Sequence, residues 1–173
     1  IRLMDGAGAD YLWNGDPAYW KGRGPLLFPM VGRAAGDKIL VEGRSYPMSQ
    51  HGFARTSRFE IVDVGADHCT MALSNSSATL AQYPFRFRLE VAFRLVGRAI
   101  SISAGLFNLG EKDLPASFGF HPAFCWPMPG ASDQRGHALI FDREEPAPLR
   151  RLAGGVLGPE GMPPPKDGRR PGL

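Results

Sequence analysis

Between residues 85 and 95 the chain alternates. Phe85, Phe87, Leu89, Val91, Phe93 and Leu95 are apolar, and Arg86, Arg88, Glu90, Ala92 and Arg94 separate them. A helix would spread every second residue around its circumference, whereas a strand collects them on one face, so a period of two predicts a strand. Gly97-Arg98 then turns the chain into residues 99–104, which alternate again. Together they predict a long antiparallel hairpin with one wet face. Residues 38–48 predict a second hairpin: Ile39-Leu40-Val41 and Ser45-Tyr46 flank Glu42-Gly43-Arg44, where glycine supplies the positive φ that a tight turn requires. Shorter strands are expected at 58–64, 69–73, 114–119 and 138–141, with a half-strand at 1–4 and a short apolar run at 26–31. No segment long enough for a stable helix repeats its apolar residues at a helical period. The fold class predicted is all-β, an antiparallel sandwich.

Length and composition fit that reading. A chain of 173 residues suits one domain, and its 22 glycines and 16 prolines suit many short strands joined by turns. The net charge is only +3. Arg86, Arg88 and Arg94 alternate with apolar residues, and Arg150-Arg151 and Arg169-Arg170 are isolated pairs. A nucleic-acid partner calls for a concentrated basic face, so none is expected. No apolar run approaches the ~18 residues that cross a bilayer, so no membrane partner is expected either. The two cysteines, Cys69 and Cys125, lie in apolar surroundings outside any CxxC spacing. They read as buried free thiols in a reducing, cytoplasmic compartment.

The chemistry of the chain rests on few residues. Of four histidines, His68 follows a turn and His137 lies in a polar loop, and both read as surface residues. His51 stands in Gln50-His51-Gly52-Phe53-Ala54-Arg55 and His121 in Phe118-Gly119-Phe120-His121-Pro122-Ala123-Phe124. Each has a glycine and aromatic residues beside it, where the backbone can approach a ligand. An imidazole with an ordinary pKa of about 6.5 can accept, donate or transfer a proton there. The other reading is a core histidine bonded to backbone carbonyls. No HxH or HxxxH metal pair, GxSxG elbow or glycine-rich phosphate loop is present. Metal binding is therefore the weaker reading.

Four motifs occur in order: residues 10–20 (Asp-Tyr-Leu-Trp-Asn-Gly-Asp-Pro-Ala-Tyr-Trp), 27–33 (Leu-Phe-Pro-Met-Val-Gly-Arg), 50–55 and 119–124. In that order they resemble the aldose 1-epimerase (galactose mutarotase-like) family, over residues 10 to 150. The resemblance implies a β-sandwich with an open sugar-binding face, and an isomerase that interconverts the α and β anomers of a galactose- or glucose-like hexose with no metal and no cofactor. It implies that His121 protonates the ring oxygen, that His51 hydrogen-bonds the same region, and that Arg33 binds sugar hydroxyls. His51 and His121 are then expected to face one shallow site. The family's general base is a glutamate in its C-terminal part, and Glu144 and Glu145 do not match that motif. The chain is therefore expected to be one incomplete sandwich domain over residues 1–173, cut at both ends, with 143–173 a Pro/Gly-rich connection and exchange activity absent or impaired. Two alternatives stand beside this: an epimerase of hexose 6-phosphates, with Arg33 or Arg55 on the phosphate, and a non-catalytic carbohydrate-binding module.

Overall fold

The computed structural model describes residues 2–143, 146–163 and 169–171. Glu144 and Glu145 lie outside the described residues. The chain divides into two compact units, one of residues 26–119 and one of residues 1–25 with 120–173.

The 26–119 unit is built on strands. After the short β1 (Leu26–Leu27) come β2 (Lys38–Val41) and β3 (Arg44–Pro47), then β4 (Glu60–Val64) and β5 (His68–Ser74). A single helical turn, α1 (Ser77–Leu80), precedes β6 (Phe87–Val96) and β7 (Ala99–Asn108). The hairpin expected at 38–48 is β2–β3, with Ile39 opposite Tyr46 and Val41 opposite Arg44. Both turn residues, Glu42 and Gly43, have positive φ, the geometry that matches strand twist in two-residue hairpins. Strands β4, β5, β6 and β7 form one antiparallel sheet in chain order. The alternation of 85–95 falls on β6, where Phe87, Leu89 and Val91 are fully buried and the residues between them half-buried. The far end of the same strand, Arg94 to Val96, is exposed, and so are most of β7 and all of β4. One face of β6 is therefore in a core only over its first half. A capping box opens helix α1, with Ser76 and Thr79 side chains each accepting from the other's backbone N–H.

The core of this unit gathers at the buried end of β6. Phe28, Met48, Phe53, Ala54, Leu73, Tyr83, Phe87, Leu89 and Val91 form one cluster. Phe28 and Phe87 have ring centroids 4.9 Å apart, and Phe53 meets Phe28 edge-on at 6.0 Å. Tyr83, 2% exposed, donates its hydroxyl to the Pro115 carbonyl at 2.9 Å. Burial raises its phenol from 10.0 to about 12. The fold thus favours the protonated form, a contribution that is whole below pH ~10 and is lost as pH rises toward ~12. Denaturant unfolding at pH 9 and pH 11.5 is expected to show a loss of stability at the higher pH. Part of that loss should disappear in Tyr83→Phe, which has no proton to release. An identical pH effect in both proteins would remove Tyr83 as its source.

The other unit carries β9 (Ala138–Ile140), β10 (Leu149–Ala153), β11 (Val156–Met162) and β12 (Arg169–Pro171), while the two-residue β8 (Gly119–Phe120) lies where one unit ends and the other resumes. β9 answers the strand expected at 138–141 and pairs with β12. β10 and β11 make a hairpin across Gly154-Gly155, both with positive φ, inside the stretch read as a connection. Near its start this unit holds a small ladder. Leu12 bridges Phe124, Trp13 N–H donates to Ala123 C=O, and Cys125 N–H donates to Tyr11 C=O. On the other side of the same stretch, His121 N–H donates to Pro25 C=O and Ala123 N–H to Arg23 C=O.

Candidate sugar-binding residues

His51 sits where the chain is least ordinary. It has φ 65, a conformation uncommon outside glycine, and Gly52 follows with φ 70. The turn is held from both directions. The His51 N–H donates to Gly32 C=O at 2.7 Å, and the Gly32 N–H donates back to His51 Nδ1 at 3.0 Å. Because Nδ1 accepts, the neutral imidazole carries its hydrogen on Nε2, and that nitrogen is a donor. The same pair of bonds fixes the peptide just before Arg33. Gly52 makes the arrangement possible: a Cβ there would lie 2.2 Å from the Phe28 carbonyl oxygen. That oxygen accepts from both Phe53 N–H and Ala54 N–H, so Phe53 and Ala54 enter the core directly behind the histidine.

Arg33 lies at the other side of this backbone clamp. It is exposed and makes two hydrogen bonds to one carboxylate, Nε to Asp37 Oδ1 at 2.7 Å and an Nη to Asp37 Oδ2 at 2.6 Å. The hydrogen-bonded carboxylate raises the guanidinium's pKa further, and the guanidinium holds the Asp37 carboxyl below its ordinary value. Asp37 itself has positive φ at the end of a short 3₁₀ turn. Arg33 and Asp37 border a shallow surface depression with Pro47, Ser49 and Gln50. The neighbouring motif residue Arg55 donates to the Gln50 carbonyl at 2.7 Å.

His121 belongs to the other unit. Its side chain is exposed, and its ring lies against Trp20 with centroids 5.1 Å apart and planes at 41°. The structure thus brings His51 and Arg33 onto one pair of loops and seats His121 on an aromatic turn. Sequence reasoning missed Asp37 as the partner of Arg33 and Trp20 as the ring beside His121. Asp37 could have been suspected as an acid four residues after Arg33, though that spacing is usually read as a helix face.

The remaining candidates sort differently. His137, read as a surface residue, is packed inward: its ring lies 4.6 Å from Trp126, Nε2 accepts from Met128 N–H, and Nδ1 is buried without a partner. A polar loop sequence hid that packing, because the burying tryptophan lies before the loop. His68 is half-buried between Asp67 and Asp63, at 2.7 and 3.2 Å. The thiols of Cys69 and Cys125 are free and half-buried rather than fully buried. Among the described residues no group of three or more His, Cys, Asp and Glu is arranged to hold a metal ion. Among the same residues no helix is long and apolar enough to cross a membrane.

Comparison with known proteins gives the same direction from three sides. A family model described as aldose 1-epimerase matches residues 3–151. The LacX proteins of Lactococcus lactis are 31% identical over 149 residues, covering 83% of this chain and 50% of LacX. A galactose mutarotase-like protein from Lactobacillus casei superposes with a TM-score of 0.83 at 29% identity, over 98% of this chain and 60% of that one. A galactose mutarotase related enzyme from Lactobacillus acidophilus gives 0.84 at 24% identity, over 95% of this chain and 55% of that one. The last is a likeness of fold. The chain spans about half the length of the curated relatives it matches.

Proposed function

From a chain that belongs to the aldose 1-epimerase family, we infer that the protein interconverts the α and β anomers of a hexose by acid–base ring opening. The observation that carries the reading is the extent of the family match, residues 3–151, which takes in Arg33, His51 and His121 together. In the proposed reaction His121, as imidazolium, gives a proton to the ring oxygen while a base takes the proton from the C1 hydroxyl. The bond between C1 and the ring oxygen breaks, the hydroxyl oxygen becomes the aldehyde oxygen, and the sugar is open. Rotation about C1–C2 and reversal of the steps close the other anomer. His51, with Nε2 as donor, hydrogen-bonds a sugar oxygen, and Arg33 binds hydroxyls. No residue of this chain is assigned as the base. In this reading the protein acts in the cytoplasm on a free monosaccharide, without metal or cofactor.

The pairing of Arg33 with Asp37 favours neutral sugar over hexose 6-phosphate. Its charge is already met by a carboxylate, and a phosphate would have to displace that partner. Two-dimensional exchange NMR on galactose and glucose tests the main reading, since catalysed exchange gives cross-peaks between anomers. Inhibition by glucose 6-phosphate but not by glucose would move the substrate to the phosphorylated form. Line broadening without exchange would indicate a carbohydrate-binding module. Arg33→Ala is expected to raise the KM for galactose several-fold, an effect of the size of one charged hydrogen bond, with the thermal unfolding midpoint held. An unchanged KM would take Arg33 out of the sugar contacts.

A further inference from the structure

We propose that Trp20 is a positioning residue for His121: its indole ring holds the imidazole in the orientation from which the proton is delivered. This rests on the reading of His121 as the proton donor. The role is carried by how firmly the indole itself is held. Trp20 N–H donates to the Asp16 carbonyl at 2.9 Å, and the Trp20 carbonyl accepts from Trp13 Nε1 at 2.7 Å. Both backbone groups of the residue are therefore tied to the preceding turn. The indole then folds over Gly22, where a Cβ would stand 2.4 Å from Cζ2 and 2.6 Å from Cε2. Only a residue without a side chain leaves that space.

The indole also meets His121, whose backbone is fixed a few residues further along the same stretch. His121 N–H donates to Pro25 C=O, and Ala123 N–H donates to Arg23 C=O. Trp20 and His121 thus project from neighbouring segments that are hydrogen-bonded to each other, and their rings meet at 5.1 Å. An exposed imidazole with two side-chain torsions samples several rotamers in water, and contact with a large aromatic face selects among them. Successive residues of the turn divide the work: Tyr19, 82% exposed, packs its ring edge against Trp13, while Trp20 turns to His121.

The test compares Trp20→Leu, Trp20→Phe and Gly22→Ala with the unaltered protein. The imidazole C–H signals of His121 are assigned by their absence in His121→Gln. In the unaltered protein they are expected to be displaced by the indole ring current. They should move toward free-imidazole positions in Trp20→Leu and Gly22→Ala and remain partly displaced in Trp20→Phe. For anomer exchange, Trp20→Leu is expected to lower kcat ~10-fold or more, as a small misplacement of a reacting group does, with KM for galactose held within about two-fold. Trp20→Phe should recover much of kcat. Signals that do not move in Trp20→Leu would overturn the proposal, as would signals that move with kcat unchanged or a change confined to KM. If the unaltered protein and His121→Gln exchange sugar equally, the proton-donor reading falls and this role with it. That case is recognised by an intact ring-current displacement beside the absent kinetic difference. Should Trp20→Leu fail to fold, Trp20→Phe and Gly22→Ala carry the same comparison.

Discussion

His121→Gln is expected to slow anomer exchange by ~10²–10⁴-fold, the range that one positioned general acid supplies. Glutamine keeps a hydrogen-bond donor of similar reach, so it isolates the proton from the contact. A sugar ring oxygen can still be approached by the amide, but an amide N–H does not give up its proton at neutral pH. The loss should therefore fall on kcat, with KM for galactose little altered. The backbone around residue 121 argues that the fold will survive the change. Its N–H is bonded to Pro25, its neighbours 123 and 125 are in the ladder with 11–13, and the side chain itself is exposed. Unfolding midpoints of the two proteins should agree closely. A rate within about three-fold of the unaltered protein would mean that the acid is elsewhere or that water suffices, against the 10²-fold minimum expected.

Gly52→Ala is expected to cost about 3–5 kcal/mol of stability, at the upper end of single substitutions. Two independent strains meet at this residue. A φ of 70 is itself unfavourable for alanine. The larger effect is steric, because the new Cβ would lie 2.2 Å from the oxygen and 2.5 Å from the carbon of the Phe28 carbonyl. Those are backbone atoms bonded to Phe53 and Ala54 and flanked by the fully buried Phe28 ring. None of them can move without opening the aromatic core. The substitution should also release the Gly32–His51 pair of hydrogen bonds, so that the imidazole loses its fixed tautomer. Urea unfolding gives the first effect. The histidine ¹⁵N shifts of His51 give the second, since Nδ1 as acceptor and Nε2 as donor are distinguishable. A stability loss below about 1 kcal/mol would contradict the crowding, because strain at such a φ alone costs that much.

The strands were legible where local pattern decides them. Residues 85–95 could be placed because apolar side chains alternate over the whole run, and the 38–48 hairpin because Gly43 marks its turn. The exposed end of β6 and the bare β4 were not legible, because alternation reports that one face is apolar and not whether anything lies upon it. The β10–β11 hairpin was hidden by composition: surrounding prolines and glycines drew attention from Gly154-Gly155, which is a strong turn signal by itself. At the candidate site the residues themselves could be named, since His51, His121 and Arg33 stand in motifs. Their environments could not. The Nδ1 of His51 meets Gly32, far earlier in the chain, and His121 meets Trp20, so both depend on tertiary pairing that spacing does not encode. His137 went astray for the same reason, its packing supplied by Trp126.

The order of strands in the four-stranded sheet bears on how the chain reaches its structure. β4, β5, β6 and β7 neighbour one another in the order in which they are synthesised. Two of the three links are tight turns, 65–67 and 97–98, so each pairing closes a small loop and loses little chain entropy before its contacts form. Strands β6 and β7 pair along their full lengths, from Phe87 with Asn108 to Val96 with Ala99. Amide protection in a pulsed hydrogen-exchange experiment is therefore expected first in 87–108. Protection of 11–13 and 121–125 should come later, since their ladder joins residues that are far apart in the chain. Simultaneous protection of both would mean that the distant pairing is already present in the folding nucleus.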